Sequence, residues 1–111
     1  VLWPVHPRTR HIMERERLVA PVQVRLVEPL GYLDMVAALR SARVVVTDSG
    51  GLQKEAYWLG VPCVTLRAET EWTETVSSGW NVLVDTDVAR IVAYVESAAR
   101  IDAPRDAYGL E

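Results

Sequence analysis

The chain has 111 residues, half of them hydrophobic and about a quarter charged, which suits one small globular domain and excludes a disordered segment. A net charge of -3 offers no basic surface for nucleic acid or anionic lipid, and no apolar run approaches the roughly 18 residues of a membrane helix. The single cysteine excludes internal disulfides and multi-cysteine metal sites, so the expected setting is reduced and cytoplasmic, without a metal or cofactor.

In chain order, short β-branched runs alternate with amphipathic stretches. Val1–Val5 reads as a strand; because domains rarely begin inside a core element and no methionine precedes it, truncation upstream is expected. A charged, weakly amphipathic helix follows over Arg8–Leu18, then a strand over Val24–Glu28. Gly31–Ala42 is the next helix, with Tyr32, Val36 and Leu39 on one face. The strand Arg43–Thr47 leads into a helix over Gly51–Leu59, its inner face formed by Leu52, Ala56 and Leu59. Gly60 stands at the C-cap of that helix, with Pro62 two residues on. The strands Pro62–Leu66, which buries Cys63, and Trp80–Val84 complete five. The last helix, Thr86–Arg100, carries a stripe of Val88, Ile91, Val92, Val95 and Ala99 behind Thr86 as N-cap. Residues 1–101 are expected to form one domain and 102–111 an irregular tail. Such alternation predicts an α/β fold, a parallel sheet covered by helices.

The chemistry concentrates in Thr47-Asp48-Ser49-Gly50-Gly51-Leu52-Gln53-Lys54-Glu55. A buried strand runs into Ser-Gly-Gly and a helix starts at once, so free N–H groups and the positive helix end face the strand's carboxyl edge. Two adjacent glycines remove the Cβ atoms that would hold a diphosphate away from the backbone. Ser49 can cap the helix or donate to a phosphate, and Glu55, one turn beyond Gly51, is placed to accept from a ribose diol. A plain strand-to-helix turn, with glycines for tight packing, stays open on these residues alone. Asp-Ser-Gly-Gly also surrounds the nucleophile of chymotrypsin-like proteases, but those folds are all-β, and the P-loop pattern is absent.

Taken in order, Pro4-Val5-His6-Pro7-Arg8-Thr9, Pro29-Leu30-Gly31-Tyr32-Leu33, Thr47 to Ala56, Leu59-Gly60-Val61-Pro62 and Leu66-Arg67-Ala68-Glu69-Thr70-Glu71 resemble UDP-N-acetylglucosamine 2-epimerases. The resemblance implies a Rossmann-like parallel sheet with helices on both faces, the carboxy-terminal half of a B-type glycosyltransferase-like fold. It implies that Ser49, Gly50 and Gly51 hold the diphosphate, that Glu55 holds the ribose, and that Leu30 and Met35 lie near the uracil. His6 would face the cleft, while His11 reads as a solvated helix residue. Many members carry Thr-Glu-Arg-Pro-Glu, whose arginine contacts the nucleotide, where this chain has Thr70-Glu71-Trp72-Thr73-Glu74. Trp72 can stack or seal the cleft but brings no charge, which Arg67 could supply; Glu69, Glu71 and Glu74 are otherwise a solvated acidic loop. The wording Gln-Lys-Glu-Ala, Glu-Thr-Glu-Trp and Gly79-Trp80-Asn81 resembles the branch that includes epimerases of UDP-2,3-diacetamido-2,3-dideoxyglucuronate.

The activity so implied is isomerisation of UDP-N-acetylglucosamine to UDP-N-acetylmannosamine by anti elimination and re-addition of UDP. The family's acid–base carboxylates come from sequence upstream of anything present here, so no catalytic residue beyond His6 is a candidate and the chain alone is expected to bind rather than turn over. A UDP-sugar is the expected partner and a homodimer the intact assembly. A hydrolysing epimerase, a B-type UDP-sugar glycosyltransferase and a non-catalytic binding module remain rivals. With the doubly wound strand order, Val1–Val5 and Arg43–Thr47 would flank an absent central strand, predicting either two half-sheets or direct pairing between them.

Overall fold

Among the described residues, hydrogen bonding groups five strands into two parallel sheets, one of two strands and one of three, which is the first of the two expected arrangements. The computed structural model describes residues 1–98; the expected tail and the end of the last helix lie outside the described residues. The chain divides into two compact units, Val1–Met35 and a second that begins at Val36.

In the first unit, β1 (Leu2–Pro4) pairs with β2 (Arg25–Val27) in the register Leu2 to Arg25, Trp3 to Leu26 and Pro4 to Val27. Pro4, which has no N–H to give, is the last residue of β1, and buried Val5 extends the ladder past it by donating to the Val27 carbonyl at 2.9 Å. Helix α1 (Pro7–Arg15) starts there because Pro7 presets its first φ and His6 caps it, Nδ1 accepting the Arg8 N–H at 3.0 Å. It stops where Arg17 takes φ 55°, letting the Arg17 and Leu18 amides donate to Glu14 and Met13 carbonyls. Helix α2 (Tyr32–Ser41) spans the boundary between the units; it buries Leu39 and leaves Tyr32 68% exposed, so the expected face is inward only at its C-terminal end.

The second unit is built on β3 (Val45–Thr47), β4 (Cys63–Thr65) and β5 (Asn81–Leu83), in that spatial order, with Val46 opposite Val64 and Val64 opposite Val82. Residues 61–65 are all buried, as a central parallel strand requires. Helices α3 (Gly50–Leu59) and α5 (Val88–Ala98) pack on β4, and the short α4 (Thr73–Ser77) packs on β5. Gly60, at φ 72°, ends α3, with the Val61 amide bonded to the Ala56 carbonyl at 2.8 Å. The core holds Ala56, Tyr57, Val61, Val64, Trp80 and Val84, with Tyr57 edge-on to Trp80 at 6.5 Å and 86°.

Four details differ from the sequence reading. The buried face of α3 is Gln53, Ala56 and Tyr57, with Leu52 and Leu59 only half-buried, because polar partners inside the core recruit Gln53. Asp87, not Thr86, caps α5, its carboxylate accepting the Arg90 N–H at 3.1 Å. Along that helix Ile91 and Val95 are half-buried while Val88 and Val92 are exposed. Helix α4 has no counterpart in the sequence reading.

Cys63 is buried as expected, and desolvation pushes its thiol pKa up from 9.0 to about 11, opposed in part by the Thr65 hydrogen bond. The thiol therefore ionises in the unfolded chain first, so its contribution to stability is intact below pH 9 and lost as pH rises toward 11. Native protein at pH 8 should leave Cys63 unmodified by a disulfide-exchange reagent, with stoichiometric reaction once urea unfolds it; rapid labelling without denaturant would contradict this burial.

Candidate functional site

Thr47 ends β3 almost fully buried, and its hydroxyl accepts the Ser49 N–H at 3.0 Å, turning the chain toward α3. Ser49 takes an extended conformation (φ -84°, ψ 127°) and its Oγ accepts the Leu52 N–H at 3.3 Å. That cap leaves the Gly50 and Gly51 amides as first-turn donors outside the intrahelical ladder, at the positive end of the helix. Gly51 is exposed, and a side chain there would meet nothing within 4 Å. At Gly50 a Cβ would run into the Glu71 carboxylate oxygen Oε1 and lie 3.6 Å from Trp72 Nε1. The segment after β4 therefore walls one side of the helix start.

Glu55 is half-buried on α3, and its carboxylate makes no hydrogen bond or ion pair among the described residues. Arg67 lies at the end of β4 and reaches Glu71, Nη1 to Oε2 at 3.5 Å. Trp72 is half-buried; its N–H donates to Thr70 Oγ1 at 3.1 Å, and Nε1 is a buried donor without an acceptor among the described residues. Lys54 Nζ lies 4.4 Å from the Trp58 ring and 4.9 Å from the Trp72 ring, joining α3 to that segment. Ser49, Gly50, Gly51, Arg67 and Trp72 thus gather round the start of α3. His6, Leu30 and Met35 belong to the first unit, where His6 is exposed and the other two half-buried. His6 spends Nδ1 on its cap, leaving Nε2 for other chemistry.

A buried polar cluster that sequence reasoning missed fixes this geometry. Asn81 Nδ2 donates to Gln53 Oε1 at 2.9 Å and to Thr75 Oγ1 at 3.0 Å, while its Oδ1 accepts from Thr65 at 2.6 Å. Thr70 donates to the same Gln53 oxygen at 2.7 Å, and Thr75 donates to the Trp72 carbonyl at 2.6 Å. The 70–75 segment is thereby bolted to α3 and β5. Its only sequence signal was polar residues set inside otherwise apolar runs, such as Asn81 after Trp80. A hollow of about 310 Å³ lies beside the α3 start rather than on it, between Ala68–Thr70, Thr73, Val76 and Leu83. Among the described residues no cluster of His, Cys, Asp or Glu could hold a metal, and no helix is long and apolar enough to cross a membrane.

The family model described as UDP-N-acetylglucosamine 2-epimerase matches residues 1–109. The chain belongs to the UDP-N-acetylglucosamine 2-epimerase family. A UDP-N-acetylglucosamine 2-epimerase homolog of Methanococcus maripaludis is 49% identical over 96 residues, covering 83% of this chain and 27% of that protein. The UDP-2,3-diacetamido-2,3-dideoxy-D-glucuronate 2-epimerase of Pseudomonas aeruginosa is 54% identical over 84 residues, covering 76% and 23%. The solved UDP-GlcNAc 2-epimerase of Methanocaldococcus jannaschii in complex with UDP-GlcNAc and UDP superposes with a TM-score of 0.84 at 34% identity, over 94% of this chain and 30% of its own. The chain thus spans about a quarter to a third of the relatives it matches. The epimerase-family α/β fold expected from the sequence is the one present.

Proposed function

We propose that this chain supplies the UDP-binding part of a UDP-sugar 2-epimerase, an isomerase that inverts C2 by eliminating and re-adding UDP. One observation carries the reading: in a member of this family, a Ser49-capped helix presents the Gly50 and Gly51 amides at the end of the parallel strand β3, whose last residue, Thr47, is buried. Two amide donors and a helix N-terminus match a diphosphate, whose growing charge must be stabilised as it leaves the sugar. Glu55 takes the ribose hydroxyls, Leu30 and Met35 flank the uracil, Arg67 and Trp72 border the phosphates, and His6 serves the cleft. Residues 1–101 act as the binding domain, and the intact enzyme is a cytoplasmic homodimer that uses a UDP-sugar and no nucleic acid.

UDP-N-acetylglucosamine is the sugar nucleotide proposed first. The 54% identity to the Pseudomonas enzyme supports a second reading, UDP-2,3-diacetamido-2,3-dideoxyglucuronate. Calorimetric titration tests the shared nucleotide claim. UDP should bind saturably and ADP several-fold more weakly, with Glu55→Ala losing about tenfold in UDP affinity, the worth of hydrogen bonds to a charged group. Equal binding of UDP and ADP would sink the reading.

A further inference from the structure

Of the three glutamates after β4, all without a role in the proposed function, Glu71 is the one that lies against Gly50. Glu71 is exposed along its side chain, yet its Oε1 sits where a Gly50 Cβ would go. In a helix the Cα–Cβ direction tilts toward the N-terminus, so this oxygen lies at the N-terminal rim of α3. A carboxylate is favoured there for the same reason a phosphate is, because it faces the positive helix end. Its other oxygen is 3.5 Å from Arg67, with the two side chains 54% and 39% exposed, an ion pair of little net worth that breaks readily.

The backbone on either side is held differently. Thr70 is tied to Gln53, and the Trp72 N–H and C=O are both hydrogen-bonded. Glu71 is therefore carried by a fixed segment while its carboxylate stays able to swing into solvent. Arg67, released from it, would be left beside the same rim.

We infer that Glu71 is a built-in competitor at the diphosphate site, its carboxylate resting at the α3 rim and giving way when a phosphorylated ligand arrives. The inference rests on the proposed UDP site and adds its regulation: the resting carboxylate raises the charge a ligand must bring, so a neutral nucleoside gains nothing from displacing it. Removing the charge removes a competitor, so affinity should rise rather than fall.

The test compares UDP with uridine on the 111-residue chain and on Glu71→Gln, a change of an exposed side chain that keeps its size. UDP should bind the variant roughly two- to fivefold more tightly, the scale of one exposed charge at a helix terminus, with uridine affinity unchanged. Weaker or equal UDP binding to the variant would overturn the inference and leave the UDP site standing. Equal tightening of uridine would overturn it as well, since the gain would not be electrostatic. Failure of both proteins to bind UDP would overturn the site and the inference together.

Discussion

Asn81→Leu is expected to lower the unfolding free energy by about 3 kcal/mol, a large part of what a domain of this size has. Leucine keeps the branched four-atom skeleton of asparagine, so the main cost is the loss of its polar atoms, with some overpacking added. Asn81 is 2% exposed and serves three partners, Thr65, Gln53 and Thr75, none of which can turn to water after the change. The Thr65 hydroxyl loses its oxygen acceptor, while Gln53 Oε1 keeps Thr70 and Thr75 keeps the Trp72 carbonyl; a buried group left unpaired costs roughly 1–3 kcal/mol, and the weakened network adds to it. Urea unfolding of the two proteins measures the difference. The second-order signature is coupling: a double cycle with Thr75→Val should show non-additivity, because both substitutions sever the same bond. A loss below about 1 kcal/mol would mean that the cluster is not what fixes the 70–75 segment.

Gly51→Val is expected to do the opposite, sparing the fold and removing the ligand. The added side chain meets nothing within 4 Å, and Gly51 needs no left-handed φ. Valine is also the better helix former, so stability should hold or rise by a few tenths of a kcal/mol. The branched side chain would, however, crowd the space next to the Gly51 amide in which the proposed diphosphate sits. UDP affinity should fall by at least roughly tenfold, the loss of a charge-assisted hydrogen bond. Thermal unfolding and calorimetry on one sample separate the two effects. Unchanged UDP affinity would move the phosphates away from this amide.

Local chemistry explains how much of this was legible. The five strands lie inside the apolar runs that predicted them, because β-branched stretches between turn residues leave little choice. Gly60 was readable as a helix stop, and Ser49 as a cap, since both signals are carried by a single residue. Helix α4 was not, because Thr73-Glu74-Thr75-Val76-Ser77 has no apolar stripe and its one buried side chain, Thr75, is held by hydrogen bonds. The inner face of α3 was misjudged for the same reason. Hydrophobic periodicity favours Leu52 and Leu59, whereas Gln53 is the residue that finds partners inside. Within the candidate site, the glycines, Ser49 and Glu55 could be named from the motif. The setting of Trp72 could not: its contact with Lys54, and Glu71 lying against Gly50, depend on how the segment after β4 folds back.

Amide-resolved NMR during a UDP titration tests the central claim most directly. Saturable shifts centred on Ser49, Gly50, Gly51 and Glu55, stronger with UDP than with ADP, are the predicted result. A well-dispersed spectrum in which those amides stay still, or in which the shifts gather instead around the hollow between Ala68 and Leu83, would contradict it.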